Sequence, residues 1–259
     1  MNQHFNLSRF GRLFRRHTAE HLPAYLMSAA VLGGGMLLIM GFLAYLNGSP
    51  PSLATQGILL ALFLLGAGSV FSSTVFAQFG EKNQAIAALI LPASHLEKFL
   101  VAWLYSLLIF LLVFIPVFYL VDAVVVYGSA RPGGLAPPLF NMLAAPKQTI
   151  SVFLLYTLVN AAGLLGAIVF GKMHFIKTAF VVFALLAIAA TVNFQVLKVL
   201  LGADLRLALP FTGVGLMEDQ QFYHLDLPDA QTQGLGLVPL GAACLLWLAA
   251  YVRVTEKQI

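Results

Sequence analysis

Six stretches of this chain are each long and apolar enough to cross a lipid bilayer, and their centres hold no acidic, basic or histidine residue. About 20 apolar residues at a rise of 1.5 Å span the hydrocarbon layer. We place the stretches, to within a few residues, at 23–46, 55–77, 98–121, 149–170, 178–200 and 235–252. They predict an all-α membrane protein with six transmembrane helices.

The composition agrees with that class. Only 9% of the 259 residues are charged, whereas a soluble domain has about a quarter. A sequence pI near 9.3 could indicate nucleic-acid binding, but the basic residues flank the apolar stretches and are better explained by membrane topology. We therefore expect a lipid bilayer around the chain and no nucleic-acid partner.

The distribution of Lys and Arg predicts the orientation. With the N-terminus inside, the cytoplasmic side holds Arg9, Arg12, Arg15, Arg16, Lys82, Lys98, Lys172, Lys177, Arg253 and Lys257, and the other side holds Arg131, Lys147, Lys198 and Arg206. This asymmetry follows the positive-inside rule and puts both termini in the cytoplasm. We expect a multi-pass protein of the inner (plasma) membrane, with a single domain made of an arm at 1–22, a bundle at 23–252 and a tail at 253–259.

The N-terminal arm has the pattern of an amphipathic helix. Leu7, Phe10, Leu13 and Phe14 recur at helical spacing. The basic residues on the remaining circumference are Arg9, Arg12, Arg15 and Arg16. Such a helix lies in the headgroup plane, where each Arg gains about 1 kcal/mol near anionic lipid. The alternative is a disordered tail that only fixes the topology.

The connection between the second and third stretches predicts a short cytoplasmic helix. It opens with the polar residues Glu81, Lys82, Asn83 and Gln84, continues with good helix formers to Leu91, and ends at Pro92. Ser94 and Glu97 then have the spacing of a capping box, in which each side chain accepts the other residue's backbone N–H. A structural cap is therefore a better interpretation of Glu97 than a catalytic role.

Leu91-Pro92-Ala93-Ser94-His95-Leu96-Glu97-Lys98-Phe99-Leu100 resembles the LPxSxxEKfl segment of bacterial permeases, the membrane subunits of type-2 ABC exporters. The order of arm, two spans, short helix and four further spans is similar to that family too. The resemblance implies a separate ATPase subunit and a second permease, as a homodimer or heterodimer. It also implies coupling to the ATPase through Glu81, Lys82, Asn83 and Gln84, with Lys172 and His174 as a second, weaker contact. Without the resemblance, a solvated helix with no partner would be the better interpretation.

The membrane interior offers little for ion coupling. Asp122 and Lys198 lie near the predicted outer ends, where we expect their side chains to snorkel to water. Asn160 is placed centrally, and Asn193 and Gln195 lie towards the outer side of the fifth stretch. Ion-coupled carriers usually need an ionisable side chain within the membrane, so the pattern argues against proton coupling and favours an apolar or amphipathic cargo over a small ion.

Two further segments have plain structural interpretations. Ala162 and Gly166 fit the small-xxx-small rule for close helix packing. The long outer loop offers Asp204, Glu218, Asp219, His224, Asp226 and Asp229, but their spacing matches no metal site, and we expect a solvated acidic loop. We expect no metal and no cofactor.

The chain has no phosphate-binding loop, no His-Glu-x-x-His pair and no Gly-x-Ser-x-Gly elbow. We therefore expect no enzymatic activity in this chain and ATP hydrolysis in a partner. The leading hypothesis is the membrane-spanning subunit of an ATP-driven exporter. The alternatives are a secondary carrier or channel, and a membrane protein that serves assembly or anchoring without transport.

Overall fold

A computed structural model describes residues 5–80, 94–130, 138–144, 146–170, 173–201, 204–208, 214–218, 221–225 and 237–256. Its long helices are α1 (Leu7–Asn47), α2 (Leu53–Gly80), α3 (His95–Gly128), α4 (Pro146–Val169), α5 (His174–Leu201) and α6 (Leu237–Glu256). All six contain segments long and apolar enough to cross a membrane. The prediction of a multi-pass, six-helix membrane protein is confirmed.

The arm and the first predicted span form one helix. α1 runs unbroken through Pro23 for 41 residues, which is about 60 Å at 1.5 Å per residue. This exceeds the roughly 30 Å of the hydrocarbon core, so part of α1 must lie outside the hydrocarbon. Asn6 caps its start by accepting the N–H groups of Ser8 and Arg9, and Gly48 ends it in the left-handed conformation that favours glycine.

α3 contains a π-helical turn at Tyr105–Ile109. A π-turn shifts the main-chain bonding pattern and is often found at functional positions. Here the carbonyl of Ser106 accepts two side-chain bonds from α4, one from Tyr156 Oη at 2.6 Å and one from Asn160 Nδ2 at 3.1 Å. Asn160 Nδ2 also donates to Ser72 Oγ on α2 at 2.7 Å. Buried polar bonds therefore join α2, α3 and α4 inside the bundle.

Contacts between the helices show which ends share a side. Arg9 on α1 contacts Glu97 at the start of α3, and Tyr251 near the end of α6 packs on Phe99. We call the end of the bundle that holds these residues the terminal side. The two ends of the described chain therefore lie on one side, as an even number of spans requires. The opposite end, the loop side, holds residues 48–52 and 138–144.

Small residues set the closest helix approaches. A Cβ built on Gly68 of α2 would collide with the ring of Tyr156 on α4, and one built on Gly166 of α4 would collide with Thr178 on α5. A Cβ built on Gly163 of α4 would lie 3.4 Å from the Cβ of Ser72, in ordinary contact. The predicted packing role of the small residues in α4 therefore agrees with the contacts made by Gly166.

The long loop after α5 forms a small sheet that the sequence interpretation did not include. Its strands are β1 (Asp204–Ala208), β2 (Val214–Glu218) and β3 (Gln221–Leu225), antiparallel in the order β1-β2-β3. Asp204, Glu218 and His224 lie in these strands, whereas Asp219, Asp226 and Asp229 lie outside the described residues. The loop that the sequence predicts to be solvated and acidic thus contains three strands.

Candidate functional site on the terminal side

The carboxylate of Glu97 is the centre of the terminal side. Its side chain has no exposed surface, and that of Arg9 is 26% exposed. Arg9 Nε donates to Oε2 at 2.7 Å and Arg9 Nη2 donates to Oε1 at 2.8 Å. The backbone N–H groups of Asn6 and Ser94 donate to the same carboxylate at 2.8 and 3.1 Å. A two-bond Arg–carboxylate pair is among the strongest polar contacts in proteins, and here it fastens the arm to α3.

Both bonds of the capping box are present at the start of α3. Ser94 Oγ accepts the backbone N–H of Glu97 at 3.2 Å, and Glu97 accepts the backbone N–H of Ser94. The same carboxylate therefore serves the cap and the ion pair. The sequence indicated the cap from its local spacing, but not the pairing with Arg9, because those residues are 88 positions apart.

The other three arginines of the arm are exposed. Arg16 pairs with Glu20 at 2.6 Å, and Arg12 Nε lies 3.4 Å from the carbonyl of Ser8. The exposed arginines are Arg12, Arg15 and Arg16. The apolar residues of the arm, Phe10, Leu13 and Phe14, are partly buried against a core cluster that includes residues of α3. Phe10, Leu13 and Phe14 thus pack on protein, whereas Leu7 on the same face is 74% exposed and three of the arginines lie on the surface.

A cluster of polar aromatic side chains continues this contact into the bundle. Tyr105, the first residue of the π-turn, lies at its centre, with ring centroids 5.1 Å from Phe14, 4.6 Å from His17 and 5.5 Å from Tyr25. Its hydroxyl is hydrogen-bonded to Thr18. His17 Nε2 and Tyr25 Oη are 2.8 Å apart. The arm therefore meets α3 through specific polar contacts as well as apolar ones.

The C-terminal helix packs on the same part of α3. Trp247 and Trp103 meet edge to face at 5.3 Å, and Tyr251 and Phe99 at 5.7 Å. Edge-to-face aromatic pairs add about 0.5–1.5 kcal/mol each to their buried area. The arm, the start of α3 and the end of α6 consequently form one packed unit on the terminal side.

The predicted coupling residues are described only in part. Glu81, Lys82, Asn83, Gln84 and Lys172 lie outside the described residues. His174 begins α5 as a half-buried side chain, and its carbonyl accepts from Thr178 Oγ1 at 2.7 Å. α2 and α4 run parallel, since Gly68 meets Tyr156 and Ser72 meets Asn160. The last residues of α2 and α4, which precede the two predicted coupling segments, therefore lie on the same side of the bundle.

A cleft of about 520 Å³ lies between α1, α2 and α3. Its lining is mostly apolar and includes Leu32, Val70 and Phe114, with the polar groups of Tyr25 and Thr74 among them. Met27 and Val31, which also line it, are largely exposed on the outer surface of the bundle. Its volume falls within the range of about 300–1,000 Å³ of small-molecule sites.

The prediction that Asp122 snorkels to water was wrong. Helix α3 continues past it to Gly128, and its side chain has no exposed surface. The sequence could not show this, because the residues that cover Asp122 come from other parts of the chain. Lys198 on α5 is exposed.

Among the described residues, no group of three His, Cys, Asp or Glu side chains is placed to hold a metal ion. Comparison with protein-family models, with curated proteins and with solved structures finds no match for this chain.

Proposed function

We propose that this chain is the membrane-spanning subunit of an ATP-driven exporter of the type-2 ABC kind. In this proposal a separate ATPase subunit binds on the terminal side, which is cytoplasmic, and two such membrane subunits form the transport path as a homodimer or heterodimer. The chain itself does not hydrolyse ATP.

The observation that carries the proposal is the position of Glu97. The predicted coupling segment, 81–91, leads directly into the turn that Glu97 fastens to α3 and to the arm. A partner that moves this segment would therefore act on α1 and α3 together, because a buried, four-bonded carboxylate does not slide against its donors. The resemblance at residues 91–100 supports the proposal, because it implies that the preceding segment contacts the ATPase.

The cleft between α1, α2 and α3 supports an amphipathic cargo. Its lining is mostly apolar, it is bordered by the exposed side chains of Met27 and Val31, and it includes the hydroxyl-bearing residues Tyr25 and Thr74. A molecule with a hydrocarbon part and a small polar group would satisfy both kinds of surface.

Copurification tests the proposal. A tagged chain, extracted from its native membrane in mild detergent, should bring down a protein with a phosphate-binding loop. Replacing Glu81, Lys82, Asn83 and Gln84 together with alanine should remove that protein and leave the yield of the tagged chain unchanged. The control is Asn141→Ala, at an exposed position on the loop side, which should retain the partner. Retention of the ATPase by the fourfold variant would contradict the coupling assignment.

One observation favours a second function, an ion-coupled secondary carrier. Asp122 is a fully buried carboxyl within a helix long enough to span the membrane, and buried ionisable residues mark ion or proton pathways in carriers. Such a carrier would transport cargo in sealed vesicles without ATP, driven by an ion gradient that the ATP-driven proposal does not require.

A further inference from the structure

Asp122 lies on the loop side of the bundle without a partner for its charge. Its side chain is 0% exposed, and neither carboxylate oxygen has a hydrogen-bond donor among the described residues. The backbone N–H of Phe140 lies near this carboxylate but does not reach hydrogen-bonding geometry. An isolated carboxylate away from water is so unfavourable that it takes up a proton or a cation, or is paired.

The neighbouring segment brings further oxygen atoms that lack donors. Gln56 on α2 is 1% exposed, and its Nε2 donates to the carbonyls of Pro51 at 2.8 Å and Pro138 at 3.3 Å. Its Oε1 has no donor within the described residues. Pro138 and Phe140 belong to one short segment, so Gln56 and Asp122 are held against the same stretch of backbone. Buried oxygens without donors are rare in proteins, and a bound proton or cation would satisfy such acceptors.

The described segments at this end of α1, α2 and α3 contain no counter-charge. This end of α1, α2 and α3, together with the strip between α3 and α4, is formed by residues 36–59, 118–129 and 138–144. These residues include no Lys, Arg or His, and Asp122 is their only acid. Their titratable side chains besides Asp122 are Tyr45, Tyr119 and Tyr127. The nearest basic residues along the chain, Arg131 and Lys147, have side chains outside the described set.

We propose that Asp122 holds a small monovalent cation, a proton or Na⁺, with the loop-side oxygens of the segment 138–140 and of Gln56 completing its surroundings. Carboxylate and main-chain carbonyl oxygens outside helices are the groups that bind Na⁺ and protons within transport proteins. The site is independent of the proposed ATPase partner and would exist in the isolated chain.

The test is thermal unfolding of the purified full chain in detergent. The midpoint Tm is measured from pH 5 to pH 9, with NaCl or choline chloride at equal ionic strength, for the wild type and for Asp122→Asn, which resembles the protonated carboxyl in shape. If a proton is held, Tm falls as the pH rises, by about 3 °C for each pH unit over which the proton is lost. If Na⁺ is held, NaCl raises Tm relative to choline chloride at high pH. Either dependence is absent in Asp122→Asn and unchanged in Asp204→Asn, the matched control from β1.

Three results would overturn the site. One is a wild-type Tm that responds to neither pH nor Na⁺, or that responds in the same way in Asp122→Asn. Another is a wild type without the dependence that gains it in Arg131→Ala or Lys147→Ala, since that would identify a paired carboxylate instead. The third does not depend on any variant folding: infrared spectra of the wild type between pH 5 and pH 9 that show no buried protonated carboxyl, together with no response to Na⁺.

Discussion

Replacing Glu97 with glutamine is expected to lower the free energy of unfolding by about 2–4 kcal/mol. Removing one partner of a fully buried ion pair costs about 3–5 kcal/mol, and the value here is lower because Arg9 keeps some contact with water. In the wild type the backbone N–H groups of Asn6 and Ser94 donate to a carboxylate. The neutral amide oxygen of glutamine is a weaker acceptor for both. The arm should then detach from α3 more easily than any other part of the bundle.

Equilibrium unfolding in mixed micelles measures the difference in unfolding free energy between Glu97→Gln and the wild type. Proteolysis of the arm reports where the structure loosens. The matched control is Glu20→Gln, which breaks the exposed pair between Arg16 and Glu20 on the same helix. Exposed i,i+4 pairs contribute about 0.3–0.5 kcal/mol, so the control should differ little from the wild type. Equal losses in the two variants would show that the Glu97 carboxylate does not fasten the arm.

Valine at Gly68 is expected to cost about 1–3 kcal/mol, the usual cost of overpacking a well-filled core. Its Cβ would collide with the ring of Tyr156, a fully buried residue whose hydroxyl donates to the Ser106 carbonyl. To make room, α4 must move away from α2, and the bonds from Tyr156 and Asn160 to the π-turn of α3 weaken with it.

The control for this substitution is Gly66→Val, two positions away on the same helix. A Cβ there meets nothing within 4 Å, because Gly66 faces the cleft. Both substitutions change helix propensity equally, so their difference in unfolding free energy isolates the contact with Tyr156. If Gly68→Val unfolded at the same denaturant concentration as Gly66→Val, α2 and α4 would have to lie further apart than the structure shows.

Local patterns in the sequence predicted the parts of the fold that local physics decides. The spans follow from the length of apolar runs, and the capping box follows from the three-residue spacing of Ser94 and Glu97. Partners far apart in sequence were beyond that reasoning. The Arg9–Glu97 pair requires α1 and α3 to lie parallel, and the burial of Asp122 requires residues from other segments to cover one end of α3.

The continuous α1 and the sheet after α5 were missed for different reasons. The sequence interpretation divided the arm from the span at residues 22 and 23, whereas α1 continues through Pro23. A proline inside a helix removes one donor and crowds the carbonyl four residues before it, which can kink a helix without ending it. The strands were hidden because acidic and polar residues in a long loop suggested solvated chain. Of the candidate site, the cap and the position of His174 are described, while the role of Glu81, Lys82, Asn83 and Gln84 stays a prediction.

The central claim is that a separate ATPase binds this chain through residues 81–91, the segment that leads into α3. A photo-crosslinking amino acid in place of Asn83, in cells that make the full chain at its natural level, tests it most directly. The account predicts a covalent adduct with a phosphate-loop ATPase, whose yield changes when ATP is depleted, and no such adduct from the same amino acid at Asn141. Adducts from position 83 with lipid or with other copies of this chain, and none with an ATPase, would contradict it.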